Sequence, residues 1–205
     1  MPEIDKIVIG LTGGIATGKS TVLEGFRKYG AVTISCDKIA REVVKPGLTA
    51  SKKIFRKFGK GVFFKDGRIN RAKLGKIVFK DPGQRRVLEE ITHPQVLKIV
   101  KKKILAVKKG LIVIDTPLLF EVGWQKYMDA TLVVWVPHHV QLKRLIIRNH
   151  IKETEAQNLL NLQWPMDKKK ELADFWIDNS HSREQTQKRV KELIQQWSSH
   201  NLKKV

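Results

Sequence analysis

The chain has 205 residues, 41% of them hydrophobic and including eight Phe and five Trp, enough to bury one substantial core and too apolar for a disordered or collagen-like polymer. A single cysteine, Cys36, excludes an intramolecular disulfide, no Cys/His cluster has zinc-ligand spacing, and a reducing cytoplasm is the expected compartment. Forty Lys+Arg against twenty Asp+Glu give a formal charge of +20, yet the lysines are scattered in pairs and triplets without a basic tail. Solvated helix faces account for most of them, and nucleic acid is not the expected partner. The opening Met-Pro-Glu-Ile-Asp-Lys is unlike a signal peptide, and the longest apolar runs, at 112–114 and 132–136, fall far short of the roughly 20 residues that span a bilayer. No membrane role is expected, and the oligomeric state stays open.

In chain order, residues 6–11 (KIVIGL) predict a short buried strand, residues 12–18 a glycine-rich loop, and residues 19–29 a helix stopped by Gly30. Residues 31–35 (AVTIS) predict a second strand, which completes a βαβ unit with Asp37 just past its carboxyl end. In open α/β sheets, ligands bind outside that edge. From 45 to 92 the strand pattern vanishes, and short amphipathic helical stretches alternate with breaks at Gly59-Lys60-Gly61, Asp66-Gly67 and Asp81-Pro82-Gly83. Strands return at 111–115 (LIVID) and 130–136 (ATLVVWV), followed by a basic helix near 140–148. Residues 152–172 are polar and helical with a break at Trp164-Pro165, residues 175–178 read as a last short strand, and residues 182–197 as a closing amphipathic helix. The tryptophans, with Trp135 and Trp176 in strands, are expected in the core. The expected fold is a three-layer α/β protein with a parallel sheet. In it, residues 1–44, 93–150 and 173–198 form a nucleotide-binding core, 45–92 a helical acceptor-binding insertion, 151–172 a small lid and 199–205 a flexible tail.

Gly13-Gly14-Ile15-Ala16-Thr17-Gly18-Lys19-Ser20 satisfies G-x-x-x-x-G-K-[ST] between a predicted strand and a predicted helix, the setting that a phosphate-binding loop requires. Its glycines let the backbone wrap phosphate oxygens with N–H groups pointing inward, and the helix N-terminus adds partial positive charge. Lys19 then reaches the β- and γ-phosphates of a nucleotide, the Ser20 hydroxyl ligates a bridging Mg²⁺, and Thr21 adds its N–H or hydroxyl. A GTPase would carry D-x-x-G and N-K-x-D, but the third strand runs into Asp115-Thr116-Pro117-Leu118 and no N-K-x-D occurs. A small-molecule kinase is the leading reading, with nucleoside and nucleotide kinases as near rivals inside that class and a nucleic-acid-binding nucleotide switch as the rival outside it.

A kinase needs an acid to take the acceptor's proton. Asp37 has the position for it, with capping of the helix starting near Lys38 as the lesser alternative and compatible with the first. Arg41, one turn later, either contacts the acceptor or makes a surface ion pair. Asp115 holds Mg²⁺ or caps the loop after its strand, and Arg144 and Arg148, spaced i,i+4, close over ATP phosphates or form a solvated basic face. His93 before Pro94 is a helix-start residue or a substrate contact.

The segments GLTGGIATGKST (10–21), SCDKIAREVVKPG (35–47), His93-Pro94, PLLFE (117–121), QLKR (141–144), Ala173-Asp174 and Ile177-Asp178-Asn179 together resemble the dephospho-CoA kinases, over about residues 7–179. The resemblance implies ATP-dependent phosphorylation of the ribose 3′-hydroxyl of dephospho-CoA, giving coenzyme A and ADP in the last step of CoA synthesis. It also implies Asp37 as catalytic base, Arg41 and His93 in the acceptor site, Pro117, Leu118 and Leu119 as its wall, and Lys169 as a lid cation over ATP. Family members usually carry D-A-D where this chain has Ser35-Cys36-Asp37, so the acid at the catalytic position is kept.

Overall fold

A computed structural model describes residues 6–198; the expected tail at 199–205 lies outside them. Five strands form one parallel sheet in the order β2-β3-β1-β4-β5, with β1 at Ile7–Thr12, β2 at Val32–Ser35, β3 at Leu111–Asp115, β4 at Ala130–Trp135 and β5 at Phe175–Asp178. Every residue of β1 is buried, and Leu111–Ile114 and Ala130–Val134 are buried too. Both faces of these strands are therefore covered, which is why they read as unbroken apolar runs without alternation. Gly10 pairs with Ile114 on one side and with Thr131 on the other, so β1 sits at the centre with its loop at the carboxyl edge. The crossover from β1 to β2 runs to one side of β1 and that from β3 to β4 passes to the other, and this reversal marks that edge as the ligand crevice.

The chain divides into two compact units, one of residues up to Ile34 together with those from Val107, the other Ser35–Ala106. In the first, α1 (Lys19–Lys28) and α9 (Arg183–Ser198) share one face of the sheet. Their core joins Val22 and Phe26 to Ile9, Leu11, Leu132 and Val190. Trp197 stacks on Phe26 with ring centroids 5.8 Å apart and meets Phe175 edge-on at 5.4 Å. Gly30, at φ 80°, turns the chain out of α1 into β2. The same unit holds α6 (His138–Asn149), α7 (Glu153–Leu160) and α8 (Met166–Leu172). The expectation that the tryptophans are core needs correction. Trp176 is 37% exposed on the edge strand, and its ring, with that of Trp135, holds the Lys170 ammonium at 3.6 and 4.6 Å.

The second unit is helical: α2 (Cys36–Glu42), α3 (Thr49–Phe58), α4 (Arg71–Lys80) and α5 (Pro82–Ala106) around Ile54, Val62, Leu74 and Val78. The three expected breaks fall between its elements: α3 stops at Gly59 (φ 73°), a turn at Gly67 is closed by the Phe63 and Ile69 bridge, and the Asp81 Oδ1 accepts the Gly83 N–H at 2.7 Å at the start of α5. The expected boundary after residue 92 does not coincide with the fold. Helix α5 runs through it with Pro94 inside, forgoing the bond to the carbonyl of residue 90, because its apolar face (Leu88, Ile91, Val96, Val100) continues past the proline.

Candidate active site

The loop between β1 and α1 has the shape its residues dictate. Ala16 (φ 62°) and Gly18 (φ 82°) both adopt the left-handed conformation, so successive amides turn to one side. No side chain caps α1 and its first turn has no acid, which leaves the helix start to an anion. The Lys19 Nζ donates to the Gly13 carbonyl at 2.9 Å and lies over the loop, and the Ser20 side chain is exposed.

Neighbouring elements hold this loop from behind. The Thr17 Oγ1 donates to the Gly14 carbonyl (3.0 Å), the Asn179 Nδ2 to the Thr17 carbonyl (2.7 Å) and the Gln141 Nε2 to the Ile15 carbonyl (2.8 Å). The Ile15 N–H donates to the Gln163 Oε1 at 2.9 Å, and the Gly14 N–H to the buried Met166 sulfur at 3.0 Å. Thr186 fixes Asn179 in turn, its hydroxyl donating to the amide oxygen at 2.7 Å. A Cβ at Gly18 would run into the Asn179 amide nitrogen. With the left-handed strain added, Gly18→Ala is expected to cost roughly 1–3 kcal/mol locally and to weaken ATP binding at least tenfold, read by calorimetric titration with ATP.

Beside the loop lies an open cavity of about 360 Å³ lined by Gly18, Ser20, Thr21, Arg144, Asn179 and Arg183 among others. Arg144 therefore lines the cavity next to the loop. Arg148, one turn on, is exposed and donates to the Asn149 side chain at 3.0 Å, so the pair does not act together. Arg183, which also pairs with Glu24 at 2.6 Å, and His181 line the cavity without having been expected there. Their signal was positional, since both follow β5 at the carboxyl edge. Asp115 ends β3 opposite Leu11 of β1, at the same edge. No cluster of three or more His, Cys, Asp or Glu among the described residues could bind a metal alone. A serine hydroxyl and a carboxylate nonetheless suit Mg²⁺, a hard ion that takes few protein oxygens and completes its shell with phosphate and water.

The expectation for Lys169 needs correction. Its side chain is fully buried, with Nζ 2.7 Å from Glu121 and 2.8 Å from the Pro117 carbonyl, so it braces the 117–121 loop and does not point at a nucleotide. Burial pushes its pKa down, and the hydrogen bond and charge of Glu121 oppose this. Pro117 receives the Thr12 hydroxyl on the same carbonyl at 3.1 Å. Leu119 is wholly buried, which corrects its assignment to an acceptor wall, whereas Pro117 and Leu118 keep partial exposure.

In the helical unit, Ser35 caps α2, its Oγ accepting the Lys38 N–H at 3.4 Å. Asp37 is therefore not the cap, and its exposed carboxylate in the first turn is left for other work. Arg41 is exposed in the last turn and has no carboxylate partner among the described residues, so the surface ion pair is not formed. His93 is a mid-helix residue of α5, not a helix start. Burial lowers its pKa from the ordinary 6.5, and the charge of Glu89 partly offsets the effect. Below the ordinary value the unfolded chain takes up a proton that the folded one resists, so stability falls as pH drops through that window. The urea midpoint is expected to fall between pH 7.5 and 5 more steeply in the wild type than in His93→Gln.

The model of the family described as dephospho-CoA kinase matches residues 7–185. A dephospho-CoA kinase of Bacillus licheniformis is 43% identical over 196 residues, covering 94% of this chain and 98% of that protein. One from Carboxydothermus hydrogenoformans is 46% identical over 193 residues, covering 93% and 94%. The solved dephospho-CoA kinase of Campylobacter jejuni superposes with a TM-score of 0.71 at 31% identity, over 95% of this chain and 98% of that one.

Proposed function

The chain belongs to the dephospho-CoA kinase family, and we infer from this and from its site that it moves the γ-phosphoryl group of ATP onto the ribose 3′-hydroxyl of dephospho-CoA, releasing coenzyme A and ADP. A bond forms between the ribose oxygen and the γ-phosphorus, and the bond from that phosphorus to the β-phosphate oxygen breaks. The supporting observation is the loop of residues 13–21, with Lys19 across it and beside it the open cavity lined by Ser20, Thr21 and Arg144.

The loop amides and Lys19 bind and align the phosphates, and Arg144 meets the charge that spreads over the transferring group. Asp37, two residues past the end of β2, accepts the proton of the 3′-hydroxyl as that oxygen attacks. Ser20 and Asp115 would hold Mg²⁺, which would supply positive charge to offset that of the nucleotide phosphates. The segment 151–172 acts as the lid, resting on the loop through Gln163 and Met166, and the Ser35–Ala106 unit takes the acceptor. No helix among the described residues is long and apolar enough to cross a membrane, and the proposed compartment is the cytoplasm.

The test is ADP release by purified protein with ATP and Mg²⁺, with and without dephospho-CoA, and the mass of the product. Acceptor-dependent ADP and a product heavier by one phosphoryl group are expected. Folded, ATP-binding protein that releases no acceptor-dependent ADP would overturn the assignment.

A further inference from the structure

Helix α9 reaches the phosphate-binding loop through side chains of its first two turns. Arg183, Thr186, Gln187 and Val190 are spaced i, i+3, i+4 and i+7 and so share one face of the helix. Val190 joins the core, and the other three bond to α1 or toward the loop. Arg183 pairs with Glu24 at 2.6 Å, the Gln187 Nε2 donates to the Thr21 carbonyl at 2.8 Å, and the Thr186 hydroxyl donates to Asn179 at 2.7 Å. Gln187 also lies against Gly25, where a Cβ would come within 2.6 Å of its Oε1.

The polarity of the Thr186 relay is forced. The Thr17 carbonyl can only accept, so the Asn179 amide must present Nδ2 to it, and Oδ1 then faces the Thr186 hydroxyl. The 3.2 Å contact of that hydroxyl with the Ser182 carbonyl is the weaker share of the same proton. Thr17, Asn179 and Thr186 are all buried, so an amide turned the other way would leave two polar groups mispaired. The Asn179 N–H donates to the Trp135 carbonyl at 2.9 Å, which fixes the residue to the end of β4. In a trans peptide the C=O and the following N–H point opposite ways. Holding the Thr17 carbonyl from behind therefore turns the Gly18 N–H away from Asn179 and out of the supported back of the loop.

We propose that Thr186 and Gln187 are positioning residues for the kinase reaction: acting through Asn179 and through Thr21, they aim the loop amides that bind ATP phosphates, and α9 docks more tightly when ATP is bound. This rests on the loop being the ATP site. An amide aimed in advance needs no reorganisation when the phosphate arrives or when charge shifts during transfer, so its orientation bears on both affinity and rate. The tighter docking of α9 follows by linkage, since contacts that strengthen ATP binding are strengthened by it in the same proportion.

The experiment measures ATP affinity by calorimetric titration, both KM values and the melting temperature for the wild type, Thr186→Val, Thr186→Ser, Thr186→Val/Gln187→Ala and Val190→Ala. Thr186→Val keeps the shape of the side chain and removes the donor, and it is expected to weaken ATP binding about fivefold. The double variant is expected to weaken it about thirtyfold, with the KM for dephospho-CoA unchanged within about twofold. Thr186→Ser restores the hydroxyl and should return the affinity to within about twofold of the wild type. Val190→Ala opens a cavity under the same helix without touching the relay, so the melting temperature falls while ATP affinity stays within about twofold. Hydrogen exchange along α9 gives the reciprocal reading: ATP slows it in the wild type and slows it several-fold less in Thr186→Val. If the wild type binds ATP but affinity simply follows melting temperature across the set, Val190→Ala included, α9 only packs and the positioning role is overturned. Failure of Thr186→Ser to rescue overturns it too. A wild type that binds no ATP would remove the nucleotide site itself and this role with it.

Discussion

Asp37→Asn is expected to lower kcat about 10²–10⁴-fold, the range contributed by a positioned general base, while the affinity for ATP stays within about twofold. The amide keeps the size and polarity of the side chain but cannot take a proton. The fold should tolerate it, because Asp37 is exposed and the cap of α2 is supplied by Ser35 at 3.4 Å from the Lys38 amide. That division of labour separates this chain from the usual family pattern, in which an acid stands at position 35. A serine there caps as well as an acid does, and it places no second carboxylate near Asp37. The assay is initial-rate ADP release at saturating ATP with dephospho-CoA varied, and ATP titration of the same preparation. Loss of ATP binding together with kcat would show a phosphate-site or folding defect. An unchanged kcat would remove Asp37 from the chemistry and leave the reaction dependent on phosphate positioning alone.

The parts of this site that could be read from the residues are those where local chemistry dictates local shape. The cradle of residues 13–21 is one, since only glycine at 18 accepts φ 82° beside Asn179 without strain and only a lysine arm crosses the loop. The parallel sheet is another, because strands buried on both faces leave apolar runs that cannot be mistaken for a half-exposed hairpin. What escaped depends on contacts remote in sequence. Gly14 and Met166 are 152 positions apart, and a methionine near a predicted lid gives no hint that its sulfur accepts an amide. Pro94 misled in the opposite sense. A local rule says that helices start or stop near proline, but the apolar face of α5 outweighs the one backbone bond it forgoes. Arg144 and Arg148 looked equivalent by spacing, yet only the packing of α6 against the loop decides which of them lines the cavity.

Lys169→Met is expected to cost about 3 kcal/mol of folding stability, at the low end for breaking a buried ion pair because Glu121 retains 15% side-chain exposure. The methionine fills most of the lysine's volume, so the loss is electrostatic and not a cavity. Without the ammonium, the Glu121 Oε1 keeps only the Trp164 N–H at 3.3 Å, and Oε2 is already buried without a hydrogen-bond partner. The Pro117 carbonyl loses its 2.8 Å donor at the same time. Removing the stranded charge should therefore recover part of the loss, and the double variant Lys169→Met/Glu121→Leu is expected to be more stable than Lys169→Met alone. Urea denaturation of the wild type, both single variants and the double variant closes the cycle. The same four proteins separate the two roles that a lid lysine can have. If the lysine is a brace between α8 and the 117–121 loop, stability falls and the KM for ATP changes little in folded protein. If stability is kept and the KM for ATP rises tenfold or more, Lys169 leaves Glu121 to reach the nucleotide during turnover, and the buried pair is the resting position of a moving cation.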